Sequence, residues 1–167
     1  GDNEPCNGFT NPPDKIYAVY NDEIKCIGYH EDAHILSYTI NRPKSNFIRE
    51  GLAMYFDKYW WDRTNEEWVQ LYLNENKYVE ISKLLLNDTF FNYSDSITYP
   101  IAGAFTKFLI DNYGIDKYIM LYKYTGKDFI KRIEEVYDEK IECIEKNFIL
   151  YFFISFSNFF NFTSLSL

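Results

Sequence analysis

Histidine, cysteine, glycine and positive charge are all scarce in this chain, and each scarcity removes a class of function. Among 167 residues there are only three cysteines, Cys6, Cys26 and Cys143. An odd count with no repeated spacing gives neither a disulfide framework nor a thiolate zinc site. Cys6 and Cys26 pair in an oxidising compartment or stay as free thiols, and the sequence leaves both open. Lys and Arg number 17 against 25 Asp and Glu, for a formal net charge of −8. That balance argues against a nucleic-acid partner, which needs a basic surface to displace counterions. With seven glycines, the chain holds no G-x-G-x-x-G, Walker A or G-x-S-x-G pattern. The opening Gly1-Asp2-Asn3-Glu4-Pro5 is polar and acidic. It lacks the basic-then-apolar order of a secretory signal, so a processed or truncated boundary is expected there.

What is present is apolar and aromatic. Hydrophobic residues make up 47% and aromatics 20%, which excludes general disorder and allows one domain with a real core. Residues 1–14, rich in Asn, Asp, Pro and Gly, read as a loose leader. Ile16–Tyr20 is a short β-type run, Asn21-Asp22 supplies a turn, and Ile24–Ile27 is a second weak strand ending at Gly28. From His30 the period becomes helical. Helices are expected over Glu31–Thr39, Phe47–Trp61, Asn65–Leu73, Val79–Leu86 and Pro100–Tyr113, the last with Gly114 as its cap. Further helices are expected over 115–124, 128–137 and Glu139–Phe148. The fold class is therefore α+β, mostly α, with a small N-terminal β element over a helical remainder, and residues 15–150 form one domain.

The stretch from Phe148 to Leu167 carries no charge and approaches the length of a membrane span. Its Asn, Thr and Ser content weakens the transfer gain, so membrane association through it is the less favoured reading. Residues 151–167 are set apart as an apolar tail that docks or lies loosely. The acidic run Ile133–Glu145 reads as a solvated face, because the D-x-[DN]-x-[DN]-G order of a calcium loop is missing. Trp60, Trp61 and Trp68, with Tyr55, Phe56 and Tyr59, form an aromatic concentration that packing largely explains, an aromatic-lined substrate subsite being the alternative.

Both histidines fall in one motif, His30-Glu31-Asp32-Ala33-His34. Residues four apart lie on one helical face, so the two imidazoles can meet a single ion. Glu31 fills the slot a general base needs to take a proton from water beside that ion. Chance placement of this H-E-x-x-H pattern is roughly one in a thousand from composition, which favours chemistry over packing. A catalytic zinc needs a third protein ligand. Carboxylates are plentiful, and Glu50 is one whose small neighbours Gly51 and Ala53 would let its helix approach the first closely. Arg49 next to it is either a surface charge or a partner for a substrate carboxylate.

The H-E-x-x-H motif with Glu50-Gly51-Leu52-Ala53-Met54-Tyr55-Phe56 downstream resembles the gluzincin metallopeptidases of the peptidase MA-like group. Tyr99-Pro100-Ile101-Ala102-Gly103-Ala104-Phe105 and the helices up to residue 150 are similar to the helices downstream of the metal ligands in those enzymes. The resemblance implies a zincin-like fold, Zn2+ held by His30, His34 and Glu50, and Glu31 as general base. It further implies Tyr99 as hydrogen-bond donor to the oxyanion, a peptide or protein substrate, and an extracytoplasmic or secreted setting. Some of those enzymes carry an acidic residue one turn after the Glu ligand, where this chain has Met54. Asp32, Asp57 and Asp62 are the acidic residues left to support the histidines. A β-sheet precedes the metal helix in those families, whereas 29 residues precede His30 here. The sheet is then minimal, or the chain is a piece of a longer protein. The alternative function is a non-catalytic metallopeptidase-like module for protein binding or surface attachment.

Overall fold

The computed structural model describes residues 8–23 and 28–163, the side chains of 155–163 excepted. The chain begins with an antiparallel hairpin of β1 (Gly8–Asn11) and β2 (Lys15–Ala18), in which Thr10 pairs with Ile16 and Phe9 with Tyr17. Alternation along β1 turns Thr10 inward and Phe9 outward, where its ring stacks on Tyr17 at 4.8 Å. The stretch that reads as loose leader thus contributes a strand, and its last residues, Pro12-Pro13-Asp14, form the hairpin turn. Ile24–Ile27, with Cys6 and Cys26, lies outside the described residues.

Two helices carry the motif residues: α1 (His30–Tyr38) and α2 (Asn46–Asp57). The start of α2 is fixed by Ser45, whose hydroxyl accepts from the Ile48 amide at 3.4 Å. Arg49 donates to the Pro43 carbonyl at 2.9 Å and to Asn46, so it pins this first turn and is not a loose surface charge. Periodicity carries α2 to Trp61, but Lys58 adopts φ 68 and returns its N–H to Met54. The chain then forms a second small hairpin, β3 (Tyr59–Trp60) with β4 (Arg63–Thr64).

The remainder is helical: α3 (Asn65–Asn74), α4 (Ile81–Leu84), α5 (Asn87–Phe90), α6 (Asp95–Tyr113), α7 (Ile115–Tyr122), α8 (Phe129–Tyr137) and α9 (Ile141–Thr163). Proline normally starts a helix, yet α6 begins five residues before Pro100, at a Ser94 cap. The carbonyl that Pro100 leaves without its helical donor belongs to Ser96, and the Tyr72 hydroxyl donates to it instead. α6 is the central rod. Its Ile101, Phe105 and Leu109 are fully buried with Phe47 and Ile48 of α2 and Phe148 of α9. α2 and α6 touch closely at Gly51, where a Cβ would stand 2.8 Å from the Ala102 carbonyl oxygen and 2.5 Å from Thr106 Oγ1. The small residue beside Glu50 therefore serves contact with α6, not the expected approach to α1.

α9 runs on through the first part of the tail to Thr163, with Phe152 buried and Tyr151, Phe153 and Ile154 exposed. Among the described residues no helix is long and apolar enough to cross a membrane. The acidic run divides at Asp138 (φ 57), and several of its carboxylates make structural hydrogen bonds. Glu134 accepts from the Ile141 amide at 3.2 Å, and Glu139 from the Tyr113 hydroxyl at 2.9 Å. Glu145 accepts from both the Ile81 amide and the Tyr78 hydroxyl at 2.8 Å.

Candidate metal centre

Helical spacing brings His30 and His34 side by side on α1, their ring centroids 4.9 Å apart and nearly perpendicular. α2 lies against this face and delivers Glu50 between them. Glu50 Oε2 stands 3.3 Å from His30 Nε2 and 3.2 Å from His34 Nε2. Among the described residues these three form a group whose ligand atoms all lie within 4.8 Å of one another and could hold a metal ion. The side chains are 20%, 8% and 12% exposed in the order His30, His34, Glu50, so the group is sheltered but still reached from one side.

Electrostatics couple the three tightly. Burial opposes charge on Glu50, but hydrogen bonds to both histidines outweigh it and hold the carboxyl down at about 2. Burial likewise works against a charged His30, yet its hydrogen bond to Glu50 and the charge there raise it above its ordinary value. A carboxylate kept ionised beside two imidazole nitrogens is a donor set suited to a divalent cation.

The scaffold holds α1 from several sides. The Tyr122 hydroxyl of α7 donates to Ser37 Oγ at 2.7 Å, and Ser37 donates to the His34 carbonyl at 3.3 Å. Asn41 donates to the carbonyls of Tyr122 and Tyr124 at 2.8 and 3.2 Å. At the other end Asp57 Oδ1 accepts from the Tyr29 amide at 3.3 Å, just ahead of the first histidine. Burial raises the Asp57 carboxyl above its usual range, against the pull of His30 and that amide. Of the three carboxylates left by the sequence to support the histidines, Asp57 is the one tied to the start of α1. Met54, one turn after Glu50, is fully buried core instead. His34 Nδ1 is buried with no hydrogen-bond partner among the described residues, so its ring is held by Glu50 at Nε2 and by packing, including Tyr38 at 5.5 Å.

Tyr99 of α6 lies over His30, ring centroids 6.0 Å apart and 17° from parallel. Trp60 and Phe90 hold the Tyr99 ring from its other sides at 5.3 and 6.0 Å. Trp60 in turn takes the Trp68 indole N–H on its carbonyl at 2.7 Å. One part of the tryptophan concentration therefore borders the site, while Trp61 is exposed. Glu31 lies outside the group of three and points to the first hairpin, where its Oε2 accepts a hydrogen bond from the Thr10 hydroxyl. Of the five residues singled out by the sequence, three thus converge, Tyr99 borders them and Glu31 faces the hairpin. Sequence reasoning omits Thr10, which the hairpin brings to α1 from 21 residues upstream.

Together these features define a mostly helical α+β protein with a sheltered two-histidine, one-glutamate group able to hold a metal ion. Comparison of the chain with family models, curated proteins and solved structures gives no match.

Proposed function

We propose that the chain is a zinc-dependent peptidase of gluzincin type with a zincin-like fold, acting on peptides or proteins in an extracytoplasmic setting. The observation that carries this reading is the gathering of His30, His34 and Glu50, with ligand atoms within 4.8 Å of one another and Glu31 adjacent on the same helix. Two donors on one zinc at tetrahedral angles, each about 2.0–2.1 Å from the ion, stand about 3.3 Å apart. The 3.3 and 3.2 Å separations from Glu50 Oε2 to the two Nε2 atoms fit that spacing.

A zinc ion, when bound, supplies a Lewis acid that polarises a peptide carbonyl and lowers the pKa of water. Glu31 accepts the proton of the attacking water and later delivers one to the leaving amine. Tyr99, whose ring lies over His30, would donate its hydroxyl to the oxyanion that develops on the scissile carbonyl. Glu50, ionised and buried, neutralises charge and holds the two imidazoles in register.

Purified protein assayed for metal content and for cleavage of a peptide library tests the proposal. One zinc per chain is expected. Glu31→Gln is expected to retain that zinc while kcat falls by at least about 10²–10⁴-fold, the usual range for a general base. Full zinc with no cleavage of any peptide favours a metal-holding binding module, and absence of bound metal rejects both the ligand set and the chemistry.

A further inference from the structure

We propose that Thr10, on the N-terminal hairpin, is a positioning residue that holds the Glu31 carboxylate for its work as a base. The inference rests on the role given to Glu31 under the proposed function and adds the device that fixes it. Alternation on β1 turns Thr10 toward α1, half-buried, while its strand neighbours Phe9 and Asn11 face solvent. Its hydroxyl donates to Glu31 Oε2 and also lies 3.2 Å from the Glu31 backbone carbonyl. A threonine hydroxyl has one proton to give, and the carboxylate is both the nearer and the stronger acceptor.

The consequence is geometric. Glu31 sits in the first turn of α1 on a flexible side chain that samples several rotamers when free. With Oε2 tethered to β1, the rotamer is fixed and Oε1 keeps its lone pairs for a proton from water. A reacting group misplaced by about 1 Å loses on the order of a hundredfold in rate. The β1–β2 hairpin is then part of the catalytic machinery through this one hydroxyl. Register secures it, because Thr10 opposite Ile16 has to keep its inward face for the contact to exist.

The test uses the zinc-loaded full chain and a quenched fluorescent peptide library. Thr10→Val preserves shape and removes the donor; kcat is expected to fall about ten- to a hundredfold with KM within about twofold and zinc content unchanged. Thr10→Ser is expected to restore kcat to within a few fold, which a packing role for the threonine methyl would not do. Independently of activity, amide hydrogen exchange in the hairpin is read for Thr10→Val, Glu31→Ala and the double variant. Loss of protection that is no greater in the double variant than in either single one marks the two residues as one coupled unit. Wild-type kcat in Thr10→Val, in a protein that Glu31→Gln inactivates, overturns the proposal, as does additive loss of hairpin protection. Cleavage that survives Glu31→Gln is a separate result, which removes the base itself and the peptidase reading with it.

Discussion

Tyr99 is one of sixteen tyrosines, and what separates it from the others is the company of its ring. It lies nearly parallel to His30 and is wedged by Trp60 and Phe90, so its phenol is held at the edge of the metal group with little freedom. Tyr99→Phe keeps that stacking and removes only the hydroxyl. The expected outcome is a fall in kcat of about 10²–10³-fold with zinc content and KM unchanged, the signature of a lost oxyanion donor. Steady-state kinetics with a single peptide substrate checks it, and a wild-type kcat would leave the ring a packing role alone. The residues of the site differ in how readable they are from sequence. His30, Glu31 and His34 belong to one helical turn, so spacing alone aligns them. Glu50 is legible through the Glu50-Gly51-Leu52-Ala53 stretch, which resembles the ligand helix of the gluzincins, and α2 brings it to the two histidines. Thr10 gives no signal, since only a strand register places it on Glu31. Asp57 is one of three candidate carboxylates, and helix arithmetic alone does not show that it reaches back to the Tyr29 amide.

At the scale of elements, sequence patterns locate helices well and their ends poorly, and the reasons are contacts between elements. Pro100 reads as a start because it removes a donor, but Tyr72 on α3 supplies the missing hydrogen bond and α6 runs on through it. The α2 pattern continues past Asp57 because Tyr59 keeps the helical spacing of Ile48, Leu52, Tyr55 and Phe56, yet Lys58 in the left-handed region ends the helix there. Glu145 shows the same principle in the acidic run. It reads as one solvated charge of many, but α9 turns it onto the start of α4, where it accepts from the Ile81 amide and the Tyr78 hydroxyl. Partial burial outweighs these hydrogen bonds and raises its carboxyl above the ordinary value. The folded state therefore binds this proton more tightly than the unfolded chain. Its contribution favours folding below the unfolded pKa and is lost as pH rises through the raised folded one. Glu145→Gln keeps an acceptor oxygen without the charge, so its stability is expected to vary less than wild type with pH across and just above the usual glutamate range. Glu145→Ala leaves two donors without an acceptor and is expected to cost about 1–3 kcal/mol. Urea titrations of the three proteins from pH 4 to 7 check both, and equal pH slopes for wild type and Glu145→Gln would refute the linkage.

Taken whole, the molecule builds its site from parts of the chain that are far apart in sequence: a hairpin, two helices joined by a short loop, and the central α6. The core formed around α6 sets α2, α2 presents Glu50 to α1, and α7 anchors α1 from behind through Tyr122 and Ser37. On the face of α1 away from the ligands lies a groove of about 330 Å³ between α1, α2 and α7, bordered by exposed Leu36, Ile40, Phe56 and Ile115. An ion that joined His30, His34 and Glu50 would cross-link α1 to α2 on that ligand face. Binding to the folded state alone then stabilises the whole domain by mass action. At free zinc a hundred times the dissociation constant the gain is about 2.7 kcal/mol. For a domain of this size each kcal/mol moves Tm by about 2–4 °C. Zinc added to metal-stripped protein is thus expected to raise Tm by about 5–11 °C, measured by calorimetry at fixed protein concentration. Glu50→Gln removes the charged ligand and is expected to lose nearly all of that increment, whatever the change does to the metal-free Tm. Glu31→Gln, which leaves the three ligands in place, is expected to keep it. A zinc shift that survives in Glu50→Gln would place the ion elsewhere in the molecule.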